Sequence, residues 1–218
     1  QVLYGLDMAK KEIAKKRQVV VVEGYTDVMA CHLAGITTAV ATCGTAFGPD
    51  HIRIIRRLLM DDDAFRGEVI FTFDGDAAGQ KAAMRAFNED QKFVTQTFVA
   101  VEPDGLDPCD LRQHKGDLAL RDLIARRIPL FEFAIKTELN QHNLNTAEGR
   151  VNALNATAPL VSQIRDKSLR PEYTRLLAGW LGVEVEIVSR AVAQGVKRVA
   201  APQSSSEDVP VEISWRPD

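Results

Sequence analysis

The hydrophobic pattern changes period partway along the chain. Residues 18–24, QVVVVEG, form a continuous β-branched run, which predicts a strand buried on both faces. TDVMACHLAG (26–35) switches to helical spacing and stops at Gly35. TTAVATCG (37–44) predicts a second strand. GPDHIRIIRRLLMDDD (48–63) predicts a helix with Pro49 in its first turn and Ile52, Ile55, Leu58 and Leu59 on one face. EVIFTFD (68–74) is a third strand, 77–93 a helix, and QTFVAVE (96–102) a fourth strand. Strands alternating with helices at this spacing imply a parallel sheet with right-handed crossovers. From about residue 117 helical periodicity takes over, over 117–127, 129–142, 146–166, 169–182 and 184–198. The expected class is α/β: a parallel sheet flanked by helices, followed by a small all-helical subdomain. The expected division is a basic lead-in helix (1–17), an α/β domain (18–116), a helical subdomain (117–199) and a Ser-, Pro- and acid-rich linker (200–218).

Composition narrows the class. With 218 residues, 45% hydrophobic, the chain can bury one good core and a small second one. No apolar run approaches the roughly 20 residues of a membrane helix, and the N-terminus does not read as a signal peptide, so no membrane partner is expected; the scattered cysteines make a reducing cytoplasm the expected location. The start at Gln1 leads to the expectation of an excised segment. Cys31, Cys43 and Cys109 lie far apart with no CxxC, which offers neither a zinc site nor a disulfide framework. Cys31 is expected as a buried small hydrophobe and Cys43 as an inert loop thiol. The net charge of −3 argues against a basic coat for nucleic acid. Charge is uneven, however: Lys10, Lys11, Lys15, Lys16 and Arg17 stand against Asp7 and Glu12 for a local +3, and Arg53, Arg56 and Arg57 cluster.

The acids carry the candidate chemistry. Ligands of open parallel sheets gather beyond the carboxyl ends of the strands. Three predicted strands end there in acids: Glu23, then Asp74 and Asp76, then Glu102 with Asp104, Asp107 and Asp110 on the loop beyond. Asp27 lies one turn past Glu23. Clustered carboxylates raise one another's pKa unless a cation neutralises them, and oxygen-only ligands suit Mg²⁺ or Mn²⁺. Asp-Gly-Asp is also a good turn, and acids before a helix suit its dipole. Acids at two separate strand ends favour metal.

EGYTDV (23–28), ATCGTAF (41–47) and FDGDAAGQKAA (73–83) together resemble the Toprim domain of bacterial DNA primases of the DnaG type. The likeness continues through PDGLDPCD (103–110), and 117–199 resembles the helical subdomain of the primase polymerase region. It implies a Toprim-type sheet and template-directed RNA primer synthesis by nucleotidyl transfer, with Glu23, Asp74, Asp76 and Asp107 as catalytic residues. It assigns the Mg²⁺ or Mn²⁺ to Glu23, Asp74 and Asp76; zinc is expected only in an N-terminal domain preceding Gln1. Lys81 and Arg85, one helical turn apart, are candidates for incoming phosphates or solvated helix charges. Implied partners are single-stranded DNA template, ribonucleoside triphosphates, and the replicative helicase through a domain beyond the linker, with the chain a monomer.

One departure stands out. Cys109 occupies the position where the family's later Asp-x-Asp pattern has its second acid. Asp107 before Pro108, with Asp110 three residues on, also reads as a helix N-cap, so Asp107 is expected to both cap and serve the metals, and Asp110 only to support the helix. Rival readings are a Toprim-type nuclease or topoisomerase, a phosphotransferase with Asp74 as nucleophile, and a non-catalytic interaction module.

Overall fold

The computed structural model describes residues 3–44, 47–59, 67–74, 97–164 and 166–200. Five strands form one sheet: β1 (Gln18–Val22), β2 (Ala39–Ala41), β3 (Glu68–Asp74), β4 (Thr97–Glu102) and β5 (Ile128–Pro129), in the order β2-β1-β3-β4-β5. The described helices are α1 (Leu6–Lys16), α2 (Tyr25–Leu33), α3 (Pro49–Leu58), α4 (Pro108–Ala125), α5 (Leu130–Leu139), α6 (Ala147–Ser162), α7 (Leu169–Leu181) and α8 (Val185–Ala200). The helix expected over 77–93 lies outside the described residues.

The valine run explains the centre. β1 pairs in parallel with β2 and β3, so both its edges are occupied and both its faces must be apolar. Val19 and Val21 enter one core with α1, α3 and the helical half (Ile13, Ile55, Leu130, Ile135, Leu177). Val20 and Val22 enter the other with α2 and α4 (Val28, Cys31, Leu120, Leu123). The helices after residue 129 therefore share a continuous core with the sheet.

Two features depart from the expected pattern. The sheet is mixed, because β5 runs antiparallel to β4 with Val99 opposite Ile128 and Phe98 opposite Pro129. Pro129 lacks an N–H and is tolerated because β5 is an edge. Arg127 leads into it: its Nη2 lies 2.9 and 2.8 Å from the two Glu68 oxygens, and its guanidinium stands 5.3 Å from the Phe98 ring centre. Gln18 donates to the same carboxylate at 3.1 Å. The second feature is α4, which starts at Pro108 and is interrupted at Gly116, whose φ of 84° is open to glycine. The turn from 117 onward is thus the second part of a helix whose first part is the one capped by Asp107.

Candidate active site at the carboxyl edge of the sheet

All four parallel strands deliver their carboxyl ends to one edge, and the acids sit there. Glu23 follows β1 and is exposed, and Asp74 is the last residue of β3, paired in register with Glu102 of β4. The β1–β3 register sets Val21 beside Phe71. Glu23 is the first residue past β1 and Asp74 the last residue of the neighbouring β3, so both lie at this edge. Asp76, Lys81 and Arg85 lie outside the described residues. Among the described residues no cluster of three metal-type side chains forms; of the expected metal set the described parts are Glu23 and the backbone of Asp74.

Asp27 performs a task that its spacing does not reveal. It is only 4% exposed. Its Oδ2 accepts from the Gly24 N–H at 2.9 Å, closing the first turn of α2, and its Oδ1 accepts from the Cys109 N–H at 3.3 Å. One buried carboxylate therefore ties the Glu23 turn to the start of α4. The loop after β2 joins the same knot through the Cys43 N–H, which donates to the Glu23 carbonyl at 3.1 Å. Phe47 at the end of that loop stacks on His51 and meets Phe71 of β3 edge-on.

Asp107 caps α4 as its neighbours imply. Its Oδ1 accepts from the Asp110 N–H at 2.7 Å, Pro108 fills the first helical position, and Asp110 adds an acid to the first turn. Cys109 contributes its backbone N–H to Asp27, while its sulfur accepts from Gln113 at 3.2 Å.

Glu102 is 4% exposed and engaged in holding a loop. Its Oε2 accepts from the N–H groups of Asp104 (2.7 Å) and Leu106 (3.0 Å), and its Oε1 lies 3.2 Å from Lys115 Nζ. Burial alone would raise its pKa, but the Leu106 N–H, the Lys115 ammonium and the Asp104 N–H together hold it below the usual carboxylate value. Lys115 also reaches Asp104 at 2.6 Å, and both contacts raise its own pKa. The sequence marked Glu102 as a strand-end acid and overlooked Lys115, because no periodicity relates positions 102 and 115.

Two other features stand apart from the acids. Cys31 is buried, and burial, then the nearby Asp27 charge, push its thiol up to about 12, which makes it an inert hydrophobe as expected. A groove of about 610 Å³ between α7 and α8, lined by Arg170, Pro171, Val185 and Val192 among others, includes none of the strand-edge acids. No helix among the described residues is long and apolar enough to cross a membrane.

Known proteins share this sequence and fold. Residues 17–100 match the Toprim domain, and residues 131–186 match the DnaB-helicase binding domain of primase. The DNA primase of Mycobacterium tuberculosis strain H37Rv is 54% identical over 232 residues, covering 100% of this chain and 36% of that protein. The DNA primase of Mycolicibacterium smegmatis is 62% identical over 182 residues, covering 84% and 29%. The crystal structure of the RNA polymerase domain of M. tuberculosis primase DnaG, in complex with a double-stranded DNA oligomer with a 6-nucleotide overhang, is similar with a TM-score of 0.76. Identity there is 61%, over 84% of this chain and 57% of that one. The chain spans about a third of the length of the curated relatives it matches. With the Toprim match covering the sheet and the primase matches running on through the helical half, the chain belongs to the bacterial DNA primase family and corresponds to its Toprim domain and the helices that follow.

Proposed function

We propose that this chain carries the catalytic acids of a DNA-dependent RNA polymerase that makes short RNA primers for replication. The observation that supports the reading is that Glu23 follows β1 and Asp74 ends the neighbouring parallel strand β3, which places both residues at one carboxyl edge. In the reaction the primer 3′-hydroxyl attacks the α-phosphate of a ribonucleoside triphosphate. A P–O bond forms, the α–β bridging bond breaks, and pyrophosphate leaves with the electron pair.

Use of a divalent metal accompanies the Toprim primase family in general; Mg²⁺ or Mn²⁺ is the specific assignment here. Glu23 is exposed just past β1 and β3 ends at Asp74 on the same edge, and carboxylate oxygens are the donor type that such an ion takes. Glu23, Asp74 and Asp76 would hold it, and it would lower the pKa of the attacking hydroxyl and neutralise charge on the leaving oxygen. The chain's own part is positioning: Asp27 fixes the Glu23 turn, and Asp107 orients the loop that α4 follows. Lys81 and Arg85 are proposed for the triphosphate.

Partners follow the same reading: a single-stranded DNA template, ribonucleoside triphosphates and the replicative helicase, with the chain monomeric. The helicase-binding match falls on residues 131–186, so the helical half is itself a proposed helicase contact alongside any domain beyond the linker. The domain limits given above, 18–116 and 117–199, are kept as a proposal. Calorimetric titration with Mn²⁺ tests the metal assignment. Binding should be lost in the Asp74→Asn, Asp76→Asn double variant; undiminished affinity would overturn it.

A further inference from the structure

Tyr25 opens α2 with 56% of its surface exposed, and Tyr4, 42% exposed, meets it edge-to-face with ring centres 6.2 Å apart. Neither ring hangs on a loose loop. The Tyr4 backbone exchanges two hydrogen bonds with Ala41, at 2.8 and 3.1 Å, which pins it beside the β2 edge of the sheet. Tyr25 belongs to the first turn of α2, the turn that the buried Asp27 carboxylate closes. Gly5, next to Tyr4, lies so near Val28 of α2 that a Cβ there would come within 2.9 Å of its Cγ1.

The surface around the pair has a definite chemistry. Met29 follows Tyr25 by one helical turn and is exposed, and exposed Met8 stands close to Gly5. Lys11 and Lys15 continue the Met8 face of α1 at helical spacing, and both are exposed. The aromatic pair begins two residues, roughly 7 Å of chain, from Glu23. Exposed rings held in fixed orientation, with cations on one flank and an acidic catalytic edge on the other, fit a single strand of nucleic acid. Every base offers a face to stack, and the ammonium groups meet the phosphates. An apolar protein helix would use the tyrosines and methionines but would find two unpaired cations at its border.

We propose that Tyr4 and Tyr25 form a base-stacking platform that holds one nucleotide of a single strand beside Glu23, with Lys11 and Lys15 taking neighbouring phosphates. The inference deepens the primer-synthesis reading and rests on it for the identity of the strand, but stacking requires no catalysis.

The test is a binding titration of this chain, in EDTA and at low ionic strength, with an oligothymidylate carrying one 2-aminopurine. Stacking quenches the fluorescence of that base. Wild type should quench it, and Tyr25→Ala should abolish the quench and weaken binding roughly 5- to 150-fold, the range that one stacked base spans. Tyr25→Phe keeps the ring face and should bind within ~2-fold of wild type. The Lys11→Gln, Lys15→Gln variant should reduce the slope of log affinity against log salt by roughly 0.7 for each lost contact. Wild-type affinity in Tyr25→Ala, or a loss in Tyr25→Phe as large as in Tyr25→Ala, would overturn the platform. Circular dichroism checks the fold; if Tyr25→Ala does not fold, Tyr4→Ala decides by the same criteria. Primer synthesis by the longer wild-type enzyme is measured separately: quenching without synthesis would leave the platform and remove the functional reading, and synthesis with unaltered Tyr25→Ala binding would do the reverse.

Discussion

Replacing Glu102 should loosen the loop that leads to Asp107, in a graded and pH-dependent way. In Glu102→Ala the N–H groups of Asp104 and Leu106 lose their acceptor, and Lys115 keeps Asp104 as its one partner among the described residues. Bonds to a charged acceptor contribute about 1.5–3 kcal/mol each, but the exposed loop lets water reach the freed donors, so the loss should be about 2–4 kcal/mol. For a chain of this size that corresponds to a melting temperature lower by roughly 4–16 °C. Glu102→Gln retains an amide oxygen for the two N–H groups and loses only the charge pairing with solvent-screened Lys115, so it should cost much less than Glu102→Ala. The carboxylate's pKa is depressed in the folded chain below its ordinary 4.5. Its contribution is therefore present above about pH 4.5 and lost as pH falls through the folded value. Thermal melts of the three proteins from neutral pH down to acid should show wild type losing its advantage over Glu102→Gln below that point. Equal stability of wild type and Glu102→Ala, or a gap between wild type and Glu102→Gln that does not narrow in acid, would refute this reasoning.

Further expectations concern neighbouring parts of the molecule. Asp107→Asn should leave stability nearly unchanged, because Asn caps as well as Asp, whereas Asp107→Ala should cost ~0.5–2 kcal/mol in urea denaturation. If Asp107 also serves the metals, the Asn variant will weaken Mn²⁺ binding by calorimetry at normal stability; unchanged affinity would leave it a cap alone. Arg127→Met should cost about 1.5–3 kcal/mol, since Glu68 would lose its paired guanidinium contact and retain only Gln18; a loss under 0.5 kcal/mol on the same denaturation curve would show the clamp to be inert. Residues 1–218 alone should make primers poorly, because template affinity comes largely from neutralising phosphates and the net charge is −3. Vigorous, salt-insensitive synthesis by this chain would contradict that.

The parallel core was legible because its signal is local. Four consecutive valines require a strand with two apolar faces, and that requirement places β1 inside the sheet. The Asp107 cap was legible for the same reason, since donor, acceptor and proline lie within four residues. Legibility failed where partners are distant in sequence. Asp27 meets Cys109 across 82 residues and Arg127 meets Glu68 across 59, and no period or motif links them. The edge strand β5 was hidden because two residues carry no periodicity, and Pro129 reads more readily as a helix start. At the candidate site, the sequence named strand-end acids together, but burial divides them: Glu23 is exposed, while Asp27 and Glu102 are buried and committed to backbone N–H groups. Asp76, Lys81 and Arg85 lie outside the described residues, so their part in the site rests on the motif.

Primer synthesis by the longer protein, comparing wild type with Glu23→Gln, tests the central claim most directly. A single-stranded DNA template, ribonucleoside triphosphates and Mg²⁺ or Mn²⁺ are supplied, and the products are resolved by length. Glu23 is exposed and its Gln replacement preserves shape, so the variant should melt at the wild-type temperature or slightly above it without metal. Short RNA that depends on added triphosphates should form with wild type and be absent with Glu23→Gln. Primers made by Glu23→Gln at the wild-type rate, or cleavage of the template by wild type in place of extension, would contradict the account.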